Sequence, residues 1–161
     1  MSSNTLIKWQ QPTIIRHSQI LCRSFHHWTG NYLIDTETID DPLTLSESLF
    51  KAPFVIVSHG TQADPIFNYG NLKALELWQM DWDVFTSLPS RYSAEPVERS
   101  ERETMLTKVQ TQGFFSNFRG VRISSKGDRF FIEDGIIWNL LDEENQLCGQ
   151  AASFSRWTPI T

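Results

Sequence analysis

The sequence has only two cysteines, Cys22 and Cys148, far apart and in no motif. Two such residues cannot form a disulfide framework or fill a four-ligand zinc site, and their scarcity suits a reducing, cytoplasmic setting. Long apolar runs are also lacking: none approaches the roughly 18 residues needed to span a bilayer. The opening Met1-Ser2-Ser3-Asn4-Thr5 has no basic stretch leading into an apolar one, so it does not read as a secretory leader. Positive charge is in short supply. The net charge is −5 and the 14 Lys and Arg residues are scattered, whereas neutralising nucleic-acid phosphates needs a basic patch. Internal repeats, low-complexity tracts and linkers are absent too, and 161 residues fit one domain.

What the chain has in quantity is aromatic residues, with 11 Phe and 6 Trp. These make either a well-filled core or the walls around a flat ligand. Their spacing gives the element order. Ile14, Ile15, Ser18, Leu21, Cys22, Phe25 and Trp28 recur at helical intervals over 12–29, with Pro12 at the start and Gly30 at the stop. Asp41-Pro42 opens a short helix that Pro53 ends. Residues 54–58 and 65–69 read as two strands about the turn 61–65. Asn71 caps a helix bearing Leu72, Leu75 and Trp78, and 81–88 forms a helical turn with Trp82 and Phe85. The charged stretch 90–113 reads as an exposed helix, supported by Glu98–Arg102 and Arg99–Glu103 four residues apart and stopped by Gly113. Three strands follow, at 114–124, 129–141 and 147–157, joined by tight turns as an antiparallel meander. In the first, Phe114 and Phe118 share one parity and Val121 and Ile123 the other, which predicts a bulge at Gly120.

Two strands, a run of short helices and three strands is the order of a PAS domain. Four strings sharpen the likeness: Ser-His-Gly-Thr-Gln-Ala-Asp-Pro-Ile-Phe-Asn-Tyr-Gly-Asn (58–71), Leu-Pro-Ser-Arg-Tyr-Ser-Ala-Glu-Pro (88–96), Gly-Val-Arg-Ile-Ser-Ser (120–125) and Gly-Gln-Ala-Ala-Ser-Phe (149–154). With Cys-Arg-Ser-Phe-His-His-Trp-Thr-Gly at 22–30, they resemble the MEKHLA family, whose members occur as small stand-alone proteins and at the C-terminus of plant homeodomain–leucine zipper proteins. The resemblance implies an α+β, PAS-like five-stranded antiparallel sheet with helices on one face, residues 53–161, plus an N-terminal helical extension, residues 1–52. It also implies a sensory role without catalytic residues. The plant members' homeodomain and zipper have no counterpart here, so their DNA binding does not carry over.

No convincing catalytic constellation emerges. Ser58 and His59 are adjacent on a strand and point to opposite faces, so they cannot act as nucleophile and base. His59 and Asp64, across the hairpin turn, are the best acid–base offer, and they would carry the alternative reading of a small cofactor-free hydrolase or isomerase. Cys22 and His26 share a helix face but lack a second ligand pair, and His26 and His27 diverge, so no metal is expected. The chain has nothing similar to the Asn-Cys-Arg-Phe-Leu-Gln string of flavin-binding light sensors. Residues 95–113 contain no histidine for a haem. A non-covalent small ligand remains open.

The candidate pocket draws on Phe67, Tyr69, Trp78, Phe85, Phe131, Trp138 and Phe154, with Asn68, Arg122 and Asn139 as polar groups. Only one parity of each strand can face inward, so some of these must lie elsewhere. Arg91 could bind an anion or simply pair on the surface, and Ser93 or Glu95 beside Pro96 can start the charged helix. The expectation is a sensory or interaction module, with a small molecule or a protein as partner. The first helix's apolar stripe would cover either a second copy of the chain, giving a homodimer, or its own sheet.

Overall fold

The computed structural model describes residues 1–35, 40–93 and 99–161. The expectations for Glu95, Pro96 and the Glu98–Arg102 and Arg99–Glu103 pairs fall outside the residues and side chains described. The helices are α1 (Ser3–Leu6), α2 (Pro12–Thr29), α3 (Pro42–Phe50), α4 (Leu72–Trp78), α5 (Trp82–Phe85) and α6 (Arg99–Gln112). The strands are β1 (Val55–His59), β2 (Phe67–Gly70), β3 (Phe114–Ile123), β4 (Arg129–Leu141), β5 (Leu147–Phe154) and β6 (Arg156–Ile160). All pairings are antiparallel, in the order β2-β1-β5-β4-β3, with β6 beside the first half of β4. The expected last strand thus breaks at Ser155 and runs on to Ile160, so the sheet has six strands rather than five.

Local chemistry sets the helix ends. Pro12 occupies the first turn of α2, and Gly30, at φ +74°, closes it with its N–H on the carbonyl of His26. The side chain of Asn71 caps α4. That of Asp41 does not cap α3; it accepts from the Thr44 hydroxyl instead. Helix α5 borrows its cap from the N-terminus: the Trp82 N–H donates to Thr5 Oγ1 at 3.2 Å, and Asp81 Oδ1 accepts from the Ser2 N–H at 3.0 Å.

Helices cover both faces of the sheet. Helix α2 lies on the outer face, where the Trp138 indole donates to the carbonyl of Leu21 and stacks edge-on against Phe25, with ring centroids 5.0 Å apart. Its stripe of Ile20, Leu21, Cys22 and Phe25 is buried within its own chain, so it is not left free for a second copy. Helix α3 packs alongside α2. Helices α4 and α6 cover the inner face, and α5 sits beside β2, with Phe85 stacked on Phe67 and Trp82 packed against Tyr69 and Phe50 on the other side. Where α6 ends, Gly113 takes φ +81°, and a Cβ there would sit 2.1 Å from the Trp28 ring. Only glycine allows α6 to turn into β3 so close to α2.

One buried side chain joins these pieces. Asn71 is fully buried, and its Oδ1 accepts from the N–H groups of Ile56 and Ala74, both at 3.1 Å. Its Nδ2 donates to the carbonyls of Leu49 at 3.1 Å and Phe54 at 2.8 Å. Both donors and both acceptor sites of the amide are used. Asn71→Ala should cost about 3–5 kcal/mol in chemical denaturation, because it strands two donors and two acceptors in the interior. Asn71→Asp should be no milder, since its carboxylate would face two carbonyls.

Candidate functional site

Strand register divides the side chains between the two faces. On the outer face, Ser58 of β1 lies opposite Tyr69 of β2 and Ala151 of β5, and Ala151 opposite Trp138 of β4. On the inner face, His59 lies opposite Phe67 and Gln150, and Gln150 opposite Asn139. The alternation slips within the sheet. Asp134 takes φ +55°, and Asn117 takes φ +60° on the neighbouring strand, where β3 shifts register around Phe118. The expected bulge therefore centres before Gly120. The slip puts Phe130 and Ile132, rather than Phe131, on the inner face.

The expected pocket set is consequently split. Phe67, Trp78, Phe85 and Phe154 pack together on the inner side, and Arg122 lies on the same face at the far edge of the sheet, opposite Phe130. Phe67 stacks on Phe85 with centroids 4.3 Å apart, and Trp78 packs edge-on against Phe130 and Phe154 at 5.3 and 6.2 Å. Tyr69, Trp138 and Phe131 lie on the other face and cannot line an inner space. Asn68 joins them, with its Oδ1 accepting from the Ser58 hydroxyl at 2.5 Å. Sequence reading missed Phe118 and Phe130, whose facing depends on the paired irregularities, and Ile137 and Gln150, which the aromatic search passed over.

Two polar regions mark the inner face. Asn139, Gln150 and His59 form a row across β4, β5 and β1, with Gln150 Nε2 donating to Asn139 Oδ1 at 3.4 Å and Asn139 Nδ2 to the carbonyl of Val109 at 3.3 Å. Toward the β3–β4 turn, the Arg122 guanidinium lies over the Phe118 ring, 4.9 Å from its centroid. Desolvation holds the Arg122 pKa down at about 10, so the group stays charged at neutral pH.

Both faces are well buried. Ile56, Ser58, Tyr69, Trp138 and Leu140 on the outer face are 0–1 % exposed and Ser153 7 %, while on the inner face Val55 and Ile132 are 0–1 % and Phe67, Phe118, Phe130, Ile137 and Phe154 3–7 %. The inner polar residues Asn139, Gln150, His59 and Arg122 are each half-buried.

Other expected groupings dissolve. Asp64 accepts from Arg91 Nε at 3.1 Å, while His59 Nδ1 faces the carbonyl of Gly60 at 2.9 Å. His59 and Asp64 thus have separate partners and form no acid–base pair, and Arg91 is a surface ion pair. Cys22 is buried, and burial pushes its thiol up to about 12. His26 is exposed and stacks on Tyr32. No cluster suited to a metal occurs among the described residues.

A nucleophile–base contact does exist, on the outer face. His17 Nε2 lies 2.8 Å from Ser58 Oγ. Because the Ser58 proton goes to Asn68, His17 Nε2 must carry hydrogen and donate. An imidazole donating to a hydroxyl cannot also take its proton, and Ser58 is sealed from solvent, so this is a fastening between α2 and the sheet.

The profile of the MEKHLA domain matches residues 15–159. The chain belongs to the MEKHLA domain family. Solved structures show the fold to be PAS-like. The PAS domain of a protein from Colwellia psychrerythraea superposes with a TM-score of 0.58 at 15% identity, over 72% of this chain and 93% of that one. A light-oxygen-voltage domain studied with a flavin analogue gives 0.55 at 15% identity, over 73% and 85%. An RNA-binding light-oxygen-voltage receptor gives 0.59 at 16% identity, over 80% of this chain and 35% of that chain. Among curated proteins no match is found. Among the described residues no helix is long and apolar enough to cross a membrane.

His17 links this outer fastening to pH. Burial first, then the neighbouring charge of Arg16, lowers its pKa to about 4. A histidine depressed in the folded state contributes stability that is present above its unfolded value, about 6.5, and lost as pH falls toward 4. Stability should therefore decline from about pH 6.5 to 4, by at most roughly 3 kcal/mol from this group. His17→Gln should flatten that part of the curve in urea titrations run across the same range.

Proposed function

We propose that this chain is a sensory module that binds a small molecule between the inner sheet face and helices α4, α5 and α6. It does no chemistry on that molecule and signals through a protein partner. The observation that carries the reading is a set of half-buried polar groups, one of them the charged Arg122, on the aromatic inner face. The inner face combines aromatic walls with such groups at two places, the pattern of a ligand site. Membership of a PAS-related family supports a sensory role. Several structural neighbours are light-oxygen-voltage proteins, which fits a receptor reading without naming the stimulus.

The non-enzymatic half rests on chemistry. Among the described residues, the one hydroxyl–imidazole contact is buried on the wrong face with its hydrogen bonds running the wrong way. The inner polar groups Asn139 and Gln150 are amides, which orient ligands but exchange no protons near neutrality.

Ala152 offers the test. It faces inward between Val57 and Ile137 and is half-buried. With space above it, Ala152→Leu should keep wild-type stability while reducing any small molecule that co-purifies, as read by native mass spectrometry. If the interior is full, the added methyl groups should cost about 1–3 kcal/mol, and that loss, with no bound mass in the wild type, would sink the reading.

A further inference from the structure

Among the described residues Arg122 is a charge without a counterpart. Its described contacts are one hydrogen bond, from Nη1 to the carbonyl of its own neighbour Val121 at 2.9 Å, and the face of Phe118. No carboxylate among the described residues pairs with it, unlike Arg16 and Arg91, which each hold one, and Arg156, which holds two. Those three stand out in water, more than half exposed at the side chain. Arg122 is half-buried, and its β-strand places it inward, opposite Phe130. Exposed Arg23 and Arg119 also hold no ion pair among the described residues, so what sets Arg122 apart is that it lacks an anion while half-buried.

The backbone is shaped to keep it there. Phe118, Gly120 and Arg122 lie on one face, and a Cβ on Gly120 would stand 3.1 Å from Arg122 Nη1. Glycine at 120 leaves the guanidinium room to fold back along the strand and lie flat on the Phe118 ring. Held so, its free N–H groups are preorganised for a planar oxyanion, and the adjoining walls are Phe118, Phe130 and Trp78.

We infer that the inner site takes a small monocarboxylate with an aromatic or other flat apolar body, its carboxylate on Arg122 and its body against Phe130 and Trp78. This rests on the ligand-binding reading above and names the ligand's chemical class. One guanidinium neutralises one negative charge. No second cation is placed beside it among the described side chains, which favours a carboxylate over a phosphate. The aromatic walls exclude a small, fully hydrated anion as the whole ligand.

The test has two arms. In the first, matched pairs of flat monocarboxylates and their primary amides, with 2-naphthoate and 2-naphthamide among them, are titrated into the full chain and followed by tryptophan fluorescence and thermal shift. An acid should bind at least tenfold tighter than its amide. Arg122→Gln should remove that preference while leaving amide binding unchanged, and Arg122→Lys should retain only part of it. Equal binding of acid and amide, or acid binding unchanged in Arg122→Gln, overturns the assignment and leaves the pocket standing. Failure of every probe to bind overturns the pocket reading as well.

The second arm needs no ligand. If Arg122 is kept for an absent anion, relieving its unpaired charge should not harm the empty protein. Ligand-free Arg122→Met should melt at or above the wild type. A clearly lower melting temperature would make the guanidinium a structural element and refute the proposal.

Discussion

The fold hangs on the amide of Asn71. Three segments meet at this side chain: the end of α3, the start of β1 and the first turn of α4. Each arrives with backbone groups that the regular elements leave unpaired. A carbonyl at a helix end and N–H groups at a strand edge and a helix start cannot be left dry in the interior. An amide carries two donors and two acceptor sites in one plane, so asparagine satisfies all of them at once. The outer helical layer, the sheet and the inner helical layer are thereby fixed to one another through four short hydrogen bonds.

From that joint the sheet extends as a partition between two environments. The outer face is closed by α2, whose fastenings are of several kinds. These are the Trp138 indole on a helix carbonyl, the Leu141 N–H on Ser24 Oγ, the Trp28 indole on the carbonyl of Asn139, and His17 on Ser58. Polar groups under the helix are almost all partnered; among the described residues Tyr69 Oη alone is buried without one. The inner face follows another rule. Short helices cross it, and its polar side chains Asn139, Gln150 and His59 lie half-buried in a row, hydrogen-bonded to one another or to nearby carbonyls.

Much of this was legible in the sequence. Periodicity located α2 and the meander, Asn71 announced its own helix, and the glycines at 30 and 113 marked true helix ends. These are local signals, read within a turn or two of chain. The division of aromatics between faces was not legible, because it depends on irregularities that occur in pairs. The left-handed Asp134 shifts the parity of β4, and Asn117 shifts that of β3 to match. A strict period-two reading therefore selected Phe131 where the fold uses Phe130. Neither aspartate nor asparagine announces a left-handed conformation strongly enough to place such a bulge from one sequence. His17 was missed for a related reason. It lies 41 positions from Ser58, and only tertiary packing brings them together.

The same partition explains why the two unusual inward-facing and outward-facing basic groups behave differently. His17 is carried beneath a helix, and it meets burial by giving up its proton, after which its N–H has a use. Arginine has no such course at neutral pH, since even a depressed pKa near 10 leaves it charged. A buried base that stays ionised must find an anion, retain water or weaken the fold. Arg122 has no anion of its own among the described residues, and its half-buried position keeps some hydration. Filling the inner space with an apolar body would strip that hydration unless the body brought a negative charge. On the proposed reading, the cost of burying Arg122 would select among ligands before any contact with them is optimised: a neutral molecule would have to leave the cation wet, and one carrying an oxyanion could close the site around it.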